Sequence, residues 1–160
     1  MAAVSARLAP CPDAVSPTAL DDTTAEQAAA RGEFPGPLLV LARSDFVDEL
    51  QLADAAARGA RGALLSLSLN GAEKTAKLAD AAAAHGLEVL VRVSDAAELE
   101  AALAPPIGAA IVVVGDVDYE EAQALLAAVP AGVLAIADVP ARDVRGVWRL
   151  RDMVRGRRAL

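Results

Sequence analysis

The chain has 160 residues, 55% of them hydrophobic and 23% charged, with a net charge of −7: one domain's length, too apolar for a disordered chain and too often interrupted by charge for a membrane protein. One Trp, one Tyr and two Phe leave almost no platform for stacking nucleic-acid bases, and the acidic balance argues against a nucleic-acid partner. A single cysteine, Cys11, and a single histidine, His85, exclude a disulfide framework, a multi-cysteine metal site and ordinary zinc chemistry, so no cofactor and no metal are expected.

Taken in chain order, residues 1–12 read as a flexible tail of small residues, because Asp13 and the acids after it run against a targeting segment. Asp13 to Leu20 is a weak strand candidate interrupted by Pro17. From Pro37 onward, Leu/Val/Ala runs alternate with segments of helical period, the pattern of strand–helix units on a parallel sheet. The strands are Leu38 to Ala42, Ala63 to Leu67, Leu87 to Val93, Ala109 to Val114 and Val133 to Ala137, their starts 22 to 25 residues apart. Such continuous apolar runs suit strands covered on both faces.

Helix starts are marked by Thr23 with Glu26, Asn70 with Glu73 and Asp118 with Glu121, each a capping side chain three residues before a carboxylate. Gly59 and Gly86 close two helices, and Pro105 and Pro130 stop two more. Units this short suit a (β/α) barrel, but a full eight-unit barrel takes ~250 residues. The expected fold is therefore α/β: an incomplete TIM-barrel-like (β/α) repeat of about five or six parallel strands, with an open doubly wound parallel sheet as the alternative. A single (β/α) domain spans 13–156, and 157–160 form a basic end.

The run from Leu38 to Leu103 resembles the middle of indole-3-glycerol phosphate synthase, a (β/α)8 family of tryptophan biosynthesis. It keeps Arg43, Asp45 and Phe46 of a strand ending Arg-Lys-Asp-Phe, then Gly59 and Ala60, Gly86 and Leu87, and Asp95, Glu98 and Leu99 in matching places. More faintly the resemblance runs from Ala14 to Met153, which implies the family's second strand to its seventh helix.

The same resemblance implies a lost activity. The family closes an indole ring with loss of carbon dioxide and water, which needs a proton donor and acceptor in one pocket. Ser44 stands at the place of the general-acid lysine and Arg92 at that of a glutamate. An asparagine falls at Gly115 or Asp116, and a Glu-Ser-Gly end reads Ala137, Asp138 and Val139, where Asp138 would repel a substrate phosphate. The implied vestigial pocket is Arg43, Ser44, Asp45, Phe46, Arg92, Asp116 and Asp138, with no catalytic residue. Glu88, Leu90 and Arg92 share one face by the two-residue period, so Arg92 is expected to approach Asp45, Asp116 or Asp138.

The C-terminal run, ARDVRGVWRLRDMVRGRRAL, carries seven arginines against Asp143 and Asp152, a net +5. Val144, Val147, Trp148 and Val154 repeat at helical spacing, which reads as a helix packing on the sheet or as a docking surface built on Arg145, Trp148, Arg149 and Arg155. His85 reads as a helix C-terminal residue, Cys11 as a bystander thiol and Gly36 as a turn. Asp21 and Asp22 are similar to the acidic pair of receiver domains, but the lysine that pattern needs is missing.

The expected function is a catalytically inactive, indole-3-glycerol-phosphate-synthase-like subunit with a structural or interaction role. A working lyase and a small-molecule binder at the barrel mouth stand as alternatives. The expected partner is a protein or a second copy covering the sheet edges, with no nucleic acid and no transmembrane segment. The chain is read as soluble and intracellular, with cytoplasm and plastid stroma both open.

Overall fold

The computed structural model describes residues 7–8, 19–32 and 39–138. They form β1 (Arg7–Leu8), α1 (Ala19–Ala29), β2 (Val40–Arg43), α2 (Glu49–Ala57), β3 (Gly62–Ser66), α3 (Leu67–Ala84), β4 (Glu88–Val93), α4 (Ala96–Leu103), β5 (Ile111–Gly115), α5 (Tyr119–Ala128) and β6 (Leu134–Asp138). All six strands are parallel, and their spatial order is their chain order, β1 to β6.

That order decides between the two sheet types expected from the sequence. A doubly wound sheet reverses its strand order at a switch point, whereas here the order never reverses, so the open doubly wound alternative is incorrect. Right-handed crossovers that always step the same way put every helix on one face of the sheet. The other face must then curl on itself, and the chain is an incomplete TIM-barrel-like fold.

The register sorts the strand residues accordingly. Ala42, Ala63, Leu65, Val91, Val93, Val112 and Val114 face the helices and are buried in two clusters with Leu52, Leu78, Leu99, Ala122 and Leu125. Leu64, Leu90 and Val113 form a third cluster on the opposite, concave face, joined by Leu41, Ile111 and Ile136. Gly62 lies on that face, where a Cβ would come within 2.5 Å of Leu41 Cδ2 and 3.3 Å of Leu90 Cδ1. Its missing side chain leaves room for its neighbours at the concave side.

Helix ends follow local chemistry. Asp118 caps α5 by accepting from Glu121 N at 2.9 Å, as its spacing predicts. Asp95 caps α4 in the same way, accepting from Glu98 N at 2.8 Å. Asp48 and Gln51 form a full capping box on α2, with glutamine serving in place of the carboxylate that marks the other helix starts. Gly59 and Gly86 follow the caps of α2 and α3 with φ of +92° and +72°, where a Cβ would be strained. His85 is the cap residue of α3, and α4 and α5 end just before Pro105 and Pro130.

Three expectations change. Thr23 lies inside α1 rather than at its start, because the helix begins at Ala19 and takes the end of the weak strand candidate with it; the rest of that candidate lies outside the described residues. Arg7–Leu8, inside the stretch read as a tail, pair with Val40 and Leu41. Asn70 is a donor rather than a cap acceptor, giving its Nδ2 to Phe46 O at 2.9 Å and Ser66 O at 3.2 Å. Asp21 sits on the helix α1, not on a strand, and pairs with Arg58 at 3.2 Å. The hydrogen bond from Arg58 to Asp54, with the charges of Asp54 and Asp21, raises the Arg58 pKa.

Thr75 is fully buried in α3, and its Oγ1 has no hydrogen-bond partner. A helical threonine ordinarily bonds the carbonyl three or four residues back, but residue 71 is Gly71, whose φ of +68° breaks the helix there. A buried hydroxyl without a partner costs more than it returns. Thr75→Val should therefore raise unfolding free energy by about 1 kcal/mol in urea titrations, since Val has similar volume and helix propensity.

Candidate functional site: the barrel mouth

In a (β/α) sheet the strand C-termini and the loops after them carry the site. On the concave face the last side chains are Arg43 on β2, Ser66 on β3, Arg92 on β4, Gly115 on β5 and Asp138 on β6, placed by the pairings Arg43↔Leu64, Ser66↔Arg92 and Gly115↔Asp138. The sheet brings four of the seven predicted pocket residues together here as two ion pairs.

The first pair spans the mouth. Arg43 Nη1 lies 2.9 Å from Asp138 Oδ2, with the two side chains only 26% and 19% exposed. Neighbouring strands are ~4.8 Å apart, so four spacings would hold β2 and β6 roughly 19 Å apart in a flat sheet. That separation exceeds an arginine's reach. The contact therefore measures the curl directly. Asp138 Oδ2 is buried and receives no directed hydrogen bond, so the attraction is one of charge.

The second pair joins Arg92 Nη2 to Asp116 Oδ1, as the shared face of Glu88, Leu90 and Arg92 led us to expect. Asp116 reaches it from a left-handed backbone conformation, φ +62°, which asparagine and aspartate tolerate better than most residues. Gly115 makes the space: a Cβ there would lie 3.0 Å from Arg92 Nε and 3.5 Å from Asp138 Cβ. Arg92 Nε is buried and unpartnered.

The remaining predicted residues stand outside this charged layer. Ser44 and Asp45 are exposed in the turn after β2, where strand alternation gives the concave position to Arg43 rather than to Ser44. Phe46 is 4% exposed and belongs to the helix-side core, not to the mouth. Arg145, Trp148, Arg149 and Arg155, like Cys11 and Gly36, lie outside the described residues.

The reading from sequence missed the turns that frame the mouth. Gln51 Oε1 accepts from Val47 N at 2.7 Å and Asp48 N at 3.0 Å. Ser66 Oγ and Ser68 Oγ are 2.9 Å apart. Glu98 Oε2 accepts from Ser94 N at 2.7 Å and Ser94 Oγ at 2.8 Å, fixing the turn after β4. No group of three or more metal-ligating side chains occurs among the described residues. No described helix is long and apolar enough to cross a membrane.

A parallel sheet in strict sequential order, with helices outside and a concave face whose charged layer lies at the strand C-termini, defines a (β/α)-barrel type of protein. The family model of indole-3-glycerol phosphate synthase matches residues 29–151, and the chain belongs to that family. Among solved structures, a 3-hexulose-6-phosphate synthase aligns over 86% of this chain and 80% of that one, at 20% identity and a TM-score of 0.52. A citrate synthase variant, SbnG, aligns over 71% of this chain at 23% identity and a TM-score of 0.48, and this chain spans about half of its length (52%). A search of curated proteins returned no match.

The packing of Arg92 over Gly115 gives a stability prediction. Gly115→Val puts methyls where Arg92 Nε lies and should cost about 1–3 kcal/mol in denaturant titrations, as overpacking usually does. Gly115→Val together with Arg92→Ala should recover most of that loss.

Proposed function

We propose that the chain is a non-catalytic member of its family that acts as a structural or interaction subunit. One observation carries this reading: the charged layer at the mouth contains Arg43–Asp138 and Arg92–Asp116, two cations each paired with its own carboxylate. General acid–base work needs groups that gain and lose a proton near neutral pH. An arginine stays protonated at any physiological pH, so neither cation supports such work. Ser44, at the family's lysine position, is an exposed hydroxyl that brings no positive charge. Asp138, which the sequence alone presents as a repulsive charge, is offset by Arg43.

The test is an assay for ring closure on the family's carboxyphenylamino-deoxyribulose phosphate. We expect no indole-glycerol phosphate above the uncatalysed rate, and none from the double substitution Ser44→Lys/Arg92→Glu, since Glu at 92 would also face Asp116 as a like charge. Product formation that falls on Arg92→Ala would instead identify a working lyase.

A further inference from the structure

Five large apolar side chains are exposed among the described residues, and three of them stand on the turns after β2 and β3: Val47 at 41%, Leu50 at 75% and Leu69 at 50%. The bond from Asn70 Nδ2 to Phe46 O, at 2.9 Å, joins the chain neighbours of Leu69 and Val47. Gln51 Oε1 accepts from Val47 N and Asp48 N, so the turn that carries Val47 and Leu50 is fixed as well. Scattered apolar side chains on a surface are ordinary, whereas a group of them held in one place marks an interaction site.

The chemistry around this group selects its occupant. Residues 44–57 hold Asp45, Asp48, Glu49 and Asp54 and no lysine or arginine. Asp45, Asp48 and Glu49 are exposed beside Val47 and Leu50. On the second turn Lys77 is bonded to Glu73 at 2.8 Å, which leaves Lys74 to oppose the carboxylates of the first. An acidic partner or an anionic lipid surface would be repelled here. The helices α1, α2, α4 and α5 contain acids and no lysine or arginine, so a second copy would meet this surround with like charge from those four helices. Backbone chemistry narrows the choice further. β2 and β3 are each paired on both sides, so these turns offer no free strand edge, and an occupant must satisfy its own backbone, as a helix does.

We propose that the turns after β2 and β3 dock a cationic amphipathic helix of a different protein. Its apolar side chains lie against Val47, Leu50 and Leu69, and its lysines or arginines face Asp45, Asp48 and Glu49. The docking names the class of partner for the interaction subunit proposed above and rests on that reading.

Calorimetric titration of the full chain tests it, with a synthetic amphipathic peptide of leucine and lysine of about 15 residues, long enough to form a helix. We expect this peptide to bind at least about tenfold more tightly than its counterpart with glutamate in place of lysine. Leu50→Glu and Leu69→Ser should each weaken its binding by about tenfold or more, and Leu134→Glu, at the start of β6, should leave it unchanged. The first of these is the sharpest, because it adds a carboxylate beside three others and would strengthen adhesion by charge alone. Leu50→Glu also places an acid in the first turn of α2, where the helix dipole favours it, and an unchanged melting temperature shows that the fold is intact. Should that variant not fold, Leu69→Ser reads the same group from the second turn. Equal binding of the two peptides, no binding, or lysine-peptide binding that both variants leave intact or that Leu134→Glu also weakens overturns the docking. Self-association of the chain that Leu50→Glu abolishes overturns it in favour of a second copy. Failure of the peptide to bind, without ring closure, removes only this inference, whereas ring closure by the wild-type chain removes the non-catalytic reading.

Discussion

The structure depends on one geometric constraint: a sheet whose parallel strands follow chain order places all its helices on one side and must bury its other side by curling. The concave face meets that demand with branched side chains in the middle and small or paired ones at the ends. Leu64, Leu90 and Val113 fill the centre, and Gly62 and Gly115 relieve crowding where neighbours approach. At the top the curl is closed by charge, since Arg43 of the second strand reaches Asp138 of the sixth. The span of the sheet, the vacated space at Gly115 and the two ion pairs are parts of one arrangement.

The same layer carries the proposal of a non-catalytic chain, because its charged groups are matched within the mouth. Partly exposed ion pairs contribute modestly to stability, so their main effect here is to bring cations to the concave face without leaving them unpaired. In this family the strand ends are where chemistry is carried, and here those positions hold groups that balance one another. Outside the charged layer, the turns after β2 and β3 present exposed apolar side chains beside carboxylates.

Local features were legible in the sequence because local physics sets them. The five longer strands begin and end within two residues of the apolar runs, and Asp118, Gly59, Gly86, Pro105 and Pro130 mark helix ends as expected. Leu90 and Arg92 share a face because alternation is a property of the strand itself. The misses are non-local. Asn70 bears the sequence signature of a cap, yet a carbonyl 24 residues away, at Phe46, takes its amide. Phe46 stands three residues after the mouth residue Arg43 but belongs to the helix-side core, because the strand and its alternation end at Arg43. The pairing of Arg43 with Asp138 required the curvature of the whole sheet, which no short stretch of residues encodes. The strand order likewise separated the two sheet types that composition and period left open.

A double-mutant cycle on Arg43→Ala and Asp138→Ala, read as unfolding free energy in urea, tests the curl most directly. Residues in contact couple by about 0.5–3 kcal/mol, whereas residues more than ~10 Å apart add to within about 0.5 kcal/mol. The account predicts coupling in the first range, diminished at high salt. Strict additivity would contradict it, because it would leave β2 and β6 at the separation of a flat, open sheet.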